Sequence, residues 1–249
     1  MRTGIIVAVV VSAALAVWET AARLGWADAS LLPSFSEVMR ILWRLAREEE
    51  FRGALLLTAR EVAVAFALVA PVAVLSGFLI GESPILGRIC NPVLQLVMSI
   101  PQSTFLPVFI LAFGIGFLEK VAFGMSLGFF VIASTTVAAV HAVPAGLLRA
   151  SRAFGANRRQ IYVHVYIPAM LPLIVSGLRI GLIFCITGVL LAEMYAAQNG
   201  IGRLIFAWGE SFQLPQLLAG VVLVALLTVA LNELMRLAER SVARGAALF

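Results

Sequence analysis

Six apolar runs limit what this chain can fold into. They cover roughly Gly4–Ala22, Val62–Ile80, Ile89–Phe113, Val121–Val143, Pro168–Leu191 and Leu214–Leu234. Each, at about 20 residues, is long enough to cross ~30 Å of hydrocarbon as an α-helix. Of the 249 residues, 62% are hydrophobic and 12% charged, so a soluble fold would lack the polar surface to cover itself. The expectation is an all-α, polytopic membrane protein with six transmembrane helices. It forms one transmembrane domain over 1–249, with a first span and an amphipathic segment in 1–61 and the core spans in 62–249.

The formal charge of +5 comes from arginines spread through the loops without interleaved aromatics, a pattern of membrane flanks and not of nucleic-acid binding. Cys90 and Cys185 give no disulfide framework and read as small buried thiols. Arg2 precedes an apolar stretch with no small-residue cleavage pattern after it, which reads as a retained first span. No acid lies between Lys120 and Glu193, whereas Arg149, Arg152, Arg158 and Arg159 cluster between the fourth and fifth runs. Arg236, Arg240 and Arg244 follow the sixth. The positive-inside rule puts these regions in the cytoplasm, with both termini cytoplasmic.

Residues 23–61 conflict with that parity, because they carry six arginines and belong outside. After Pro33, the cap-like Ser34 and Ser36 precede Val38, Ile41, Leu42 and Leu45, opposite Arg40, Arg44 and Arg47. An amphipathic helix lying on the membrane surface reconciles the two.

Within the third run, Pro101 and Pro107 flank Gln102, Ser103 and Thr104. Irregular polar backbone at this depth is tolerated where it packs on protein or lines a wet cavity. Ser99, Gln102, Ser103 and Thr104 are thus candidates for a translocation pathway, with a kinked packing helix as the alternative. Glu193 joins them because it ends the fifth run before Gln198-Asn199-Gly200-Ile201-Gly202, although a plain helix-end carboxylate is the simpler reading. Arg179 reads as a snorkelling structural residue and His141 as a hydrogen-bonded interface residue. No metal spacing, no close carboxylate pair inside the membrane and no nucleophile with a base is evident, so no catalytic or metal site is expected. G-x-x-x-x-G-K-[S/T] is missing, so any ATP must be bound by another subunit.

The stretch from Arg149 to Pro172 is the long basic interruption among the spans. Ala150, Ala153 and Ala156, with Ser151 and Gly155, offer a small-residue surface. Gly155 permits a change of direction, and Arg152, Arg158 and Arg159 offer charge to an acidic groove. The spacing resembles the cytoplasmic signature of binding-protein-dependent ABC importer permeases: E-A-A, three residues, Gly, nine residues, then I-x-L-P. Arg149-Ala150-Ser151 takes the first three positions, Gly155 falls in register, and Val165-Tyr166-Ile167-Pro168 takes the closing element. Arg149 stands where the family has glutamate, and Ser151 where it has its second alanine.

Further marks resemble the nitrate/sulfonate/taurine branch of that family. These are Leu32-Pro33-Ser34, Thr58 with Arg60, Pro101 to Pro107, Phe113-Gly114-Ile115-Gly116, Gly177-Leu178-Arg179, and Ala192-Glu193-Met194 before Gly200-Ile201-Gly202. The resemblance implies a type I importer permease fold with a coupling helix in a loop over 145–167. It implies an ABC ATPase dimer gripping residues 149–168, ATP and Mg bound on that ATPase, a periplasmic or extracellular substrate-binding protein, and a second permease copy. It implies the cytoplasmic membrane as location. The cargo would be a small anion such as a sulfonate, nitrate, taurine or a carboxylate. An ion- or proton-coupled secondary transporter or channel is the other class that the residues leave open.

Overall fold

The computed structural model describes residues 2–25 and 32–246, without the side chains of 2–5, 8, 238 and 240–246. The side chains of Arg2, Arg240 and Arg244, used above for orientation, therefore lie outside the described residues. The elements are α1 (Arg2–Arg23), α2 (Phe35–Leu45), α3 (Glu49–Glu82), α4 (Pro84–Ser99), α5 (Leu106–Phe113), α6 (Phe117–His141), α7 (Ala145–Ala153), α8 (Arg158–Ile161), α9 (Ile167–Ala196), α10 (Ile201–Glu210) and α11 (Leu214–Ala246). No strand occurs among the described residues.

Among the described residues, four helices are each long and apolar enough to cross a bilayer: Glu49–Glu82, Phe117–His141, Arg158–Ala196 and Leu214–Leu237. They correspond to the second, fourth, fifth and sixth apolar runs. The third run is not one rod. Pro84–Ser99 and Gln102–Phe113 meet at 89°, through a 3-10 turn at Gln102–Phe105. Pro101 and Pro107 cannot donate to a helical ladder, so the chain turns where the two donors are missing. The first run is α1, a helix of 22 residues.

The core is a three-helix stack in which α6 lies between α3 and α9. Contact is close because small residues face each other: a Cβ on Gly188 would lie 2.8 Å from Gly124 Cα. Backbones at that separation gain dispersion contacts and weak hydrogen bonds, which drive helix association where lipid removes the hydrophobic incentive. Phe123, Ile132, Ala133, Cys185 and Val189 are completely buried in this stack.

Residues 35–45 are the expected amphipathic helix, capped by Ser34, whose hydroxyl accepts from the Glu37 amide at 3.3 Å. Part of its apolar face packs on protein: Val38, Leu42 and Leu45 pack with Phe51, Ile201 and Ala219. The α1 helix joins this corner by its end. Trp18 Nε1 donates to Pro33 O at 3.1 Å, and Glu19 accepts from the Ser36 amide at 3.0 Å and hydroxyl at 2.8 Å.

Candidate functional site

The loop between α6 and α9 is a chain of short, internally closed pieces. At the end of α7, the Phe154 amide returns to Ala150 O at 3.0 Å, Gly155 to Arg152 O at 3.0 Å and Ala156 to Ser151 O at 3.1 Å. Gly155 closes this turn at φ +79°, a conformation that side chains with a Cβ resist. Asn157 then opens α8 with a reciprocal cap: its side chain accepts from the Gln160 amide at 2.9 Å, and its amide donates to the Gln160 side chain at 2.8 Å. A π-helical stretch, Tyr162–Tyr166, leads into α9. Such stretches are rare and occur often at functional sites.

Because these pieces satisfy their own backbone, they can project without tertiary support. No residue of α7 is buried. Arg149, Ala150, Arg152, Ala153, Gly155, Arg158 and Arg159 are exposed, whereas Ser151 and Ala156 are half-buried, with the Ser151 hydroxyl donating to Leu147 O at 2.8 Å. Phe154 is 91% exposed at the tip. Sequence reasoning passed over it, although an aromatic between Ala153 and Gly155 in a polar loop was the available signal. The loop is tied to the core at its far end: Tyr162 donates to Glu82 of α3 at 2.5 Å, and Tyr166 and Met170 pack with Ala139 and Val140 of α6.

The pathway candidates are not gathered in one place. Ser99 turns its hydroxyl back to Gln95 O at 2.8 Å, and Ser103 and Thr104 are exposed at the 89° bend. Gln102 is half-buried there, and its side-chain oxygen is buried with no hydrogen-bond partner. Glu193 lies elsewhere and is completely buried. It accepts from the Thr58 hydroxyl at 2.6 Å and from the Gly202 amide at 2.8 Å, while the Ile201 amide donates to Thr58 at 3.0 Å. Gly200, at φ +123°, makes room: a Cβ there would run into the Glu193 carboxylate. This carboxylate therefore fastens α3, α9 and the positive N-terminus of α10 together.

Around it the structure corrects the expectation that no carboxylates meet inside the membrane. Glu61 of α3 neighbours both Glu193 and Glu119, and all three are 0% exposed. Lys120 forms an ion pair with Glu61, while neither oxygen of Glu119 has a hydrogen-bond partner. Arg179 is paired across to α11: its Nε lies 3.3 Å from Glu239, and a second nitrogen donates to Asn232 at 3.2 Å. His141 is exposed at the end of α6. No group of three or more metal-ligating side chains occurs among the described residues.

The described residues form an all-helical bundle with a broken span and a self-capped basic loop, the architecture of a membrane protein. The chain belongs to the family described as binding-protein-dependent transport system inner membrane component, which it matches over residues 69–245. It is 31% identical over 231 residues to the taurine transport system permease protein TauC of Escherichia coli, covering 91% of this chain and 84% of that protein. It is 27% identical over 226 residues to the putative aliphatic sulfonates transport permease protein SsuC of Bacillus subtilis, covering 91% and 82%. Its fold is similar to the inward-facing MetNI methionine ABC transporter, with a TM-score of 0.60 at 23% identity over 78% of this chain and 99% of that one. The chain is thus the membrane permease subunit of an ABC importer.

Proposed function

We propose that this permease imports a small anion, of the sulfonate or taurine class, and receives its driving motion through the segment from Arg149 to Pro168. The observation that carries the coupling reading is the self-capped 145–166 segment, with Phe154 and a row of arginines projecting from it. A groove on an ABC ATPase with an apolar floor and an acidic rim fits that surface. ATP and Mg belong to the ATPase dimer. A second copy of the permease completes the pathway, and a periplasmic or extracellular binding protein supplies solute on the opposite face. Both termini and the 145–166 loop then lie in the cytoplasm of a bacterial-type inner membrane. Ser99, Gln102, Ser103 and Thr104, around the bend between α4 and α5, are the stretch of this chain proposed to face the solute. The sulfonate class is supported by the relatives named above.

Closure of the two ATPases would draw two such loops together, and the Tyr162–Glu82 link would pass that movement to α3. Gly155→Asp tests the coupling: it puts a Cβ and a charge where the backbone is at φ +79°. Proteoliposomes carrying the complete transporter should keep ATPase activity and subunit assembly but lose uptake of labelled taurine or aliphatic sulfonate. Unchanged uptake with normal assembly overturns the coupling role. Wild-type transporter that takes up neither solute overturns the cargo class.

A further inference from the structure

At the end of the bundle where Tyr162 meets Glu82, the chain forms a cleft of about 470 Å³ between the α3–α4 turn and the end of α6. The size falls within the ~300–1,000 Å³ range of small-molecule sites. Close packing of small residues shapes it: a Cβ on Gly81 would lie 2.7 Å from Val140 Cβ, and one on Gly87 would lie 3.3 Å from Ile80 O. These approaches bring His141, at the end of α6, opposite the first turns of α4. The polar side chains that line the cleft are Ser83, Arg88, Asn91 and His141, and no acid among the described residues lines it. Glu82, the acid nearest in sequence, is not among its lining residues and accepts from the Tyr162 hydroxyl. The side chains of Arg88 and His141 make no ion pair or hydrogen bond with any described residue. Aliphatic carbon supplies most of the remaining wall.

A fixed positive charge, an imidazole and a carboxamide around an apolar-walled recess are complementary to an oxyanion on a short hydrocarbon stem. Guanidinium groups present several N–H donors to one oxyanion, and no carboxylate competes here for the cation. We propose that this cleft is an oxyanion-binding site. Arg88 supplies the charge, and Asn91 and His141 supply further donors, to the –SO3⁻ head of a departing solute or to the phosphate of an anionic lipid. The solute assignment rests on the transport reading above; the oxyanion chemistry does not.

The test uses the purified permease–ATPase complex in nanodiscs of neutral phosphatidylcholine, without ATP. In a Cys90→Ala background, Ser83→Cys places a reporter thiol in the cleft, and its labelling rate is measured with the anionic 2-sulfonatoethyl and the cationic 2-trimethylammonioethyl methanethiosulfonates. Removing the charge by Arg88→Gln should slow the anionic reagent about tenfold without slowing the cationic one, while Arg88→Lys keeps most of the rate. Millimolar 1-butanesulfonate should protect the reporter if solute is the occupant. Protection only when phosphatidylglycerol is included in the disc assigns the site to a lipid phosphate. Equal rates in wild type and Arg88→Gln, or protection by neither compound, overturn the proposal. The readout needs no transport, so a transporter that imports sulfonate with an unprotected cleft sinks this inference alone, and a protected cleft without import sinks only the cargo reading.

Discussion

The two ends of the bundle solve opposite problems. At one, Thr58, Glu61, Glu119, Lys120 and Glu193 are all buried, and α3, α6, α9 and α10 are locked through side chains distant in sequence. At the other, residues 145–161 satisfy only themselves, by a glycine turn and a reciprocal cap, and hold almost nothing in the core. The first end is costly to disturb because buried charge and buried donors have no water to fall back on. The second has little internal support, and most of its residues are left exposed. Stability and function should therefore separate along the length of the molecule.

That separation can be broken by substitution. Lys120→Ala leaves Glu61 buried without its ion-pair partner, and should cost about 3–5 kcal/mol, read as a large fall in thermal stability of the detergent-purified complex. Pairing Lys120→Met with Glu61→Leu should restore much of that loss; no recovery would mean that the pair is not the unit. Thr58→Val keeps the shape but removes the hydroxyl shared by Glu193 and the Ile201 amide, with an expected cost of about 1–3 kcal/mol by the same measurement. At the other end, Asn157→Ala removes one side of the reciprocal cap and should cost about 1 kcal/mol. Phe154→Ala should change stability by less than about 0.5 kcal/mol, since the ring touches little. It should nevertheless release the ATPase during size-exclusion chromatography. A stability loss at Phe154 as large as that at Thr58 would erase the contrast.

How much of this the sequence disclosed follows the same divide. The apolar runs located the long helices because hydrocarbon thickness sets their length, and local chemistry marked Ser34 as a cap and Gly155 as a joint. The buried charge cluster was not legible, because the helices outrun their apolar stretches. The α3 helix begins at Glu49 and α6 at Phe117, which draws Glu61, Glu119 and Lys120, residues at the edges of the second and fourth runs, into the interior. Thr58 and Glu193 are 135 positions apart, and no local pattern pairs them. The prolines at 101 and 107 announced a break but not its 89°, since a missing donor permits a bend and packing chooses the angle. The amphipathic face of α2 was plain, whereas its packing on protein depends on a partner at Ala219.

One helix touches both ends. Thr58 fixes α3 near its start, and Glu82 is grasped at its finish by Tyr162. The 24 helical steps from one to the other make an arm of about 36 Å. With its fulcrum at Thr58, a tilt of about 5° would swing Glu82 through about 3 Å over that length. Pro71 is the one position between the two grips where the backbone lacks a donor, and so the place where the arm would flex before it turned. If the proposed coupling holds, the length of this single helix would set how far a movement at Tyr162 carries toward Thr58.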